Sequence, residues 1–93
     1  MHMNFRAELL GMIDRLVKGE WSVDQFRDAY YDFYLEQVPS DQLSDEELDF
    51  FGAVQERLDW TSESPNKDER GYGWMDHQEF VEWVRVHQTN AWL

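Results

Sequence analysis

Three times along this 93-residue chain a Ser or Asp stands three positions before a Gln or Glu, with an apolar residue just before it and another four after it. The three sites are Ser22–Gln25 between Trp21 and Phe26, Ser44–Glu47 between Leu43 and Leu48, and Asp76–Glu79 between Met75 and Phe80. This is the sequence form of a capping box with a hydrophobic staple. The cap side chain accepts from the backbone N–H of the third helical residue, that residue's side chain returns to the cap N–H, and the apolar pair fixes the entry angle. Each site predicts a helix start, because it satisfies backbone donors that the first turn leaves without partners.

Helical spacing follows each start. After Ser22 comes a face of Val23, Phe26, Tyr30, Phe33 and Gln37, closed by Val38–Pro39, since proline disfavours helical geometry in the residue before it. After Ser44 comes Leu48, Phe51, Val54 and Leu58, and after Asp76 comes Phe80, Trp83, Val84, His87 and Ala91. A further face, Phe5, Leu9, Ile13 and Leu16, opens the chain and ends at Lys18–Gly19, where glycine can take the left-handed position past the helix end. Helices are therefore expected over about 4–18, 22–38, 44–60 and 76–89, with a polar connection at 61–73 containing Pro65. No alternating apolar stretch is long enough for a strand. The expected class is all-α, one domain over residues 1–93, arranged as an antiparallel four-helix bundle.

Fifteen aromatic residues, five of them Trp, supply a core without help from disulfides or thiolate-bound metal, because the chain has no cysteine. No apolar run approaches a membrane span, and the first residues lack the basic-then-apolar order of a secretion signal, so a cytoplasmic protein without membrane association is expected.

Charge is distributed unevenly. Of the net −12, residues 20–63 carry −11, from thirteen acids against two arginines. In the second helix Asp24, Asp28, Asp32 and Glu36 recur at spacings of four, away from the apolar face. Three like-charge contacts of this kind cost the helix on the order of 1 kcal/mol altogether. In the third, Asp45, Asp49, Glu56, Asp59 and, past the helix end, Glu63 form a second line, with Gly52 completing its spacing; Asp41 lies in the connection between the two. If the two helices are neighbours, these residues frame one negative surface with Tyr31 as an aromatic anchor beside it. Such a surface repels nucleic acid and anionic membranes and attracts a basic protein. The plainer alternative is a solvated face that keeps a small protein monomeric, the expected oligomeric state.

Residues 68–80, "DERGYGWMDHQEF", imitate a calcium loop, with Asp68, Gly73, Asp76 and Glu79 at loop positions one, six, nine and twelve. Arg70 and Tyr72 stand where positions three and five need oxygen ligands, and Asp76 and Glu79 are already assigned to a capping box. Arg70 is expected to tie the connection to nearby carboxylates. His77 follows a helix cap and His87 falls on an apolar face, where a packed histidine is the simpler expectation than a general base. No phosphate-binding glycine loop is present, and carboxylate spacing alone does not separate an acid–base pair from a solvated face. The expectation is a protein without catalytic residues, cofactor or metal.

Two stretches, "KGEWSVDQFRDAYYDFY" and "SPNKDERGYGWMDHQEF", together resemble the colicin D-type immunity proteins of bacteria, which include those of contact-dependent growth-inhibition systems. The match runs through Gly19–Glu20 before an apolar residue, Ser22 and Phe26, then Pro65 and Arg70, then Met75, Asp76 and Glu79, covering roughly residues 5–88. The resemblance implies a small helical bundle that binds a basic toxin, typically a ribonuclease cutting transfer RNA, and blocks its active site with acidic residues. An acidic adaptor for some other basic protein is the second expectation, and an enzyme the third.

Overall fold

The computed structural model describes residues 4–91; the side chains of Ser40 and residues 89–91 lie outside that description, and with them the expected place of Ala91 on its helical face. Five α-helices follow in order: α1 Phe5–Val17, α2 Val23–Glu36, α3 Asp45–Asp59, α4 Lys67–Gly71 and α5 His77–Ala91, with a 3₁₀ turn at Ser40–Gln42 between α2 and α3. The described residues contain no strand, only one parallel bridge between Thr61 and Met75.

The starts form as their sequences dictate. Ser22 accepts from the Gln25 amide at 3.1 Å while the Gln25 side chain accepts from the Ser22 amide at 2.9 Å. Ser44 and Glu47 make the same pair at 3.1 and 2.8 Å. Asn4 caps α1 by accepting from the Ala7 amide. At the other end of α1, Glu20 N–H donates to the Arg15 carbonyl and Gly19 N–H to that of Leu16. This double closure requires the left-handed conformation that Gly19 adopts at φ 83°.

One helix was not expected. The connection at 61–73 contains α4, started by Asn66, which accepts from Glu69 N–H at 2.8 Å and donates its own amide to the Glu69 carboxylate at 2.9 Å. This is the capping device of the longer helices without the staple. Five residues are too few to display an apolar face, so periodicity passes over it.

The core draws Leu9, Ile13 and Leu16 from α1, Phe26, Tyr30 and Phe33 from α2, Phe51, Val54 and Leu58 from α3, and Phe80 and Val84 from α5. α1 packs on α2 and α5, and α3 packs on α5. Phe26 lies at the crossing, its ring 5.0 Å from Tyr30 and 6.0 Å from Phe80. Three positions differ from expectation. Gln37 is exposed as the end-cap of α2, and Phe50 is buried edge-on against Phe51. His87 is exposed rather than packed in the core, and among the described side chains of α5 the last buried one is Val84, three residues before it. The His87 ring stacks on Trp83 at 4.1 Å, with Nδ1 2.8 Å from the Trp83 carbonyl oxygen.

Tyr30 is fully buried, and its hydroxyl donates to the Phe51 carbonyl at 2.7 Å. Burial pushes its ionisation far above the ordinary tyrosine range, with the neighbouring Tyr34 and Tyr31 adding to the effect. A raised acid pKa in the folded state means the neutral form stabilises the fold fully below the unfolded value near 10, and that this contribution is lost as pH rises beyond it. Tyr30→Phe is expected to cost about 1 kcal/mol at neutral pH for the lost hydrogen bond, and to flatten the fall in stability above about pH 10 in urea titrations.

Candidate protein-interaction surface

Side chains of α2 reach across to α3 in opposite chain order along the two helices. Arg27 donates to the carbonyl of Thr61 at 2.7 Å and, more weakly, to that of Leu58 at 3.4 Å, covering acceptors at the α3 end. Tyr31 hydrogen-bonds to the Asp59 carboxylate. Tyr34 packs against Phe51, and a Cβ added at Gly52 would meet its hydroxyl at 3.8 Å, so the glycine in the acidic line lies where α2 comes over α3. The seam is built from long aromatic side chains and one arginine.

Asp24, Asp28, Asp32 and Glu36 on α2, Asp41 on the 3₁₀ turn, Asp45, Asp49, Glu56 and Asp59 on α3, and Glu63 beyond it are all exposed. Core residues occupy the opposite sides of both helices, which leaves the two lines on solvent-facing sides. Tyr31 is half-buried, and its hydroxyl is held by Asp59 rather than free. Burial, followed by that carboxylate, pushes Tyr31 well above the ordinary tyrosine range.

Several cations of the chain are engaged outside these lines. Arg6 pairs with Glu47, Lys18 with Asp14, Arg70 with Asp76 and Glu79, and Arg85 with Glu82. Arg15 lies over the Trp21 ring and Arg57 over that of Trp83. Arg27 meets a residue of the two lines, Asp24 at 3.4 Å. Among the described residues, no Lys or Arg forms an ion pair with Asp28, Asp32, Glu36, Asp41, Asp45, Asp49, Glu56, Asp59 or Glu63.

The calcium-like stretch is folded to another purpose. Asp68 lies inside α4, while Arg70 donates to Glu79 Oε1 at 2.7 Å and to Asp76 Oδ2 at 3.2 Å. A guanidinium thus sits on the carboxylates that such a loop would turn toward an ion. Asp76 caps α5, accepting from Glu79 N–H at 2.8 Å, and the Glu79 carboxylate accepts from Asp76 N–H at 3.1 Å. The ends of the connection are held side by side: Met75 N–H donates to the Trp60 carbonyl at 2.9 Å and Ser62 N–H to that of Met75 at 3.0 Å.

The Glu79 amide, with the Arg70 guanidinium after it, holds the Asp76 carboxyl below the usual carboxylate range. A depressed carboxyl pKa contributes stability above the unfolded value, and that stability is lost as pH falls through the folded one. Asp76→Ala is expected to lower the melting temperature more than Asp76→Asn, because asparagine keeps an oxygen for the cap and loses only the ion pair. The gap between wild type and Asp76→Asn should close below about pH 4 in circular-dichroism melts.

Residue spacing missed three features of this face. Arg27, read only as a cation within an acidic segment, closes the end of α3. Leu35 is 56% exposed and stands at helical spacing from Asp28 and Asp32, an apolar side chain within the acidic line. Beyond α3, Trp60 is 44% and Tyr72 79% exposed, with Trp74 packed 5.6 Å from Trp60. Their separation in sequence hid the cluster, which forms only when the 61–76 connection closes on itself. No family model matches this chain, and neither a curated protein nor a solved structure is similar enough to count as a match.

Proposed function

We propose that the protein is a noncatalytic immunity protein of the colicin D type, acting in the cytoplasm as a monomer, which binds a basic nuclease toxin and covers its active site. In this reading the four long helices form an antiparallel bundle whose α2 and α3 present the docking face. Asp24, Asp28, Asp32, Glu36, Asp41, Asp45, Asp49, Glu56, Asp59 and Glu63 supply the charge, and Tyr31, fixed through Asp59, supplies aromatic surface at the seam.

One observation carries the proposal: among the described residues, the exposed carboxylates lining the two helices have no Lys or Arg in ion-pair contact except Asp24, which meets Arg27, while Arg6, Lys18, Arg70 and Arg85 pair with acids outside the lines. Lysines on the same faces would have relieved like-charge contacts that destabilise the helix. A dense, uncompensated field instead raises the rate at which a cationic partner arrives and disfavours wrong partners. Leu35 and Tyr31 add the apolar contact that charge alone does not provide.

The same face would serve an acidic adaptor for a different basic protein, and the two readings separate on whether binding abolishes nuclease activity. Charge reversal at Asp28 and Asp32 tests the surface in both cases: binding of the basic partner falls while the helical signal remains.

A further inference from the structure

Where the α3 line ends, Glu56, Arg57, Trp60, Tyr72 and Gly73 line an open cleft. Its walls come from two chain segments that are fixed against each other. Trp60 caps α3, with its carbonyl held by Met75 N–H at 2.9 Å and its ring against Trp74. Tyr72 caps α4, and the backbone beyond it is closed twice: Gly73 N–H donates to the Arg70 carbonyl and Trp74 N–H to that of Glu69, both at 3.1 Å. Gly73 allows this closure at φ 99°. A residue as apolar as tyrosine is thereby held 79% exposed on a tied backbone, in the same cleft as a tryptophan that is 44% exposed.

We propose that this cleft receives one arginine side chain of the basic partner. The inference rests on the reading of α2 and α3 as a docking face for such a partner and names the contact at its end. Glu56 stands one helical turn before Trp60 and offers a carboxylate on the wall. The α3 C-terminus, where Trp60 stands, carries the negative end of the helix dipole. The one cation in the lining, Arg57, has its guanidinium 5.6 Å over the Trp83 ring, so its charge is drawn toward α5.

Aromatic faces beside a carboxylate select a cation over an apolar guest. Arginine fits better than lysine, because a planar guanidinium stacks on indole or phenol while its N–H groups bond a carboxylate in pairs. The preformed walls reduce the ordering that binding requires.

The test is an NMR titration of the full chain with Nα-acetyl-arginine amide, following the Trp60 indole N–H. The expected result is a saturable shift with a dissociation constant in the millimolar range, as befits one side chain. The lysine analogue should bind about three-fold more weakly, and the neutral citrulline analogue should not saturate. Glu56→Gln should weaken arginine binding about five-fold, and Tyr72→Ala should abolish saturation. Both are surface changes, and preserved dispersion of the indole signals confirms folding. A shift that does not saturate, equal shifts with citrulline, lysine binding as tight as arginine, or an unchanged titration in Tyr72→Ala would each overturn the proposal. The titration contains no toxin. Its failure beside a loss of toxin binding on charge reversal removes the cleft alone; its success beside undiminished toxin binding removes the docking-face reading and leaves the cleft as a separate arginine site.

Discussion

Phe26→Ala should destabilise the protein by about 4 kcal/mol, the middle of the range for removing a fully buried phenylalanine. Phe26 has no exposed surface, and its ring touches both Tyr30 on its own helix and Phe80 on α5. Alanine would leave a cavity where α2 meets α5, and the large rings around it cannot collapse without dragging their helices. A domain of this length has a total stability of roughly 5–14 kcal/mol, so the variant should lose more than a quarter of it. The melting temperature should drop by about 15 °C or more, read from the circular-dichroism transition. A drop of only a few degrees would mean that the helices do not meet through this ring.

Most of this architecture was legible because it is locally encoded. Ser22, Ser44 and Asp76 each specify a helix start through bonds within four residues, and Gly19 specifies a stop by the φ it alone tolerates. What escaped was the geometry between segments. Arg27 reaches across 34 residues of sequence to the Thr61 carbonyl, and Tyr31 across 28 to Asp59; no periodicity signals such pairs. α4 escaped for a different reason: Asn66 and Glu69 spell its cap, but the helix buries no residue and so leaves no apolar rhythm. His87 sits at the right angle on α5 but too far along it, and spacing reports angle, not where a neighbour ends. The acidic lines were visible residue by residue, and so was the pairing of Arg70 with carboxylates near its own connection; that Arg85 and Arg6 pair with acids outside the lines was not.

The second large effect concerns those lines. Reversing Asp28 and Asp32 to lysine changes the charge of the proposed docking face by four units and should weaken toxin binding by about 100-fold at moderate ionic strength. The loss should shrink as salt is added, because exposed charges are screened beyond roughly 8–10 Å near physiological salt. The fold should respond in the opposite direction. Two of the three like-charge contacts along α2, Asp24 with residue 28 and residue 32 with Glu36, become attractive, so the double variant should be a few tenths of a kcal/mol more stable. A gain in stability accompanied by a loss of binding is the mark of residues kept for their partner. A merely solvated face would give the gain without the loss.

The most direct measurement is isothermal titration calorimetry of the toxin domain with wild type and with the Asp28→Lys, Asp32→Lys double variant, beside a melting curve of each. The acidic-face account predicts a dissociation constant about 100-fold higher for the double variant, with its melting temperature at or above that of wild type. Equal affinities for the two proteins would contradict it and place the interface elsewhere on the molecule.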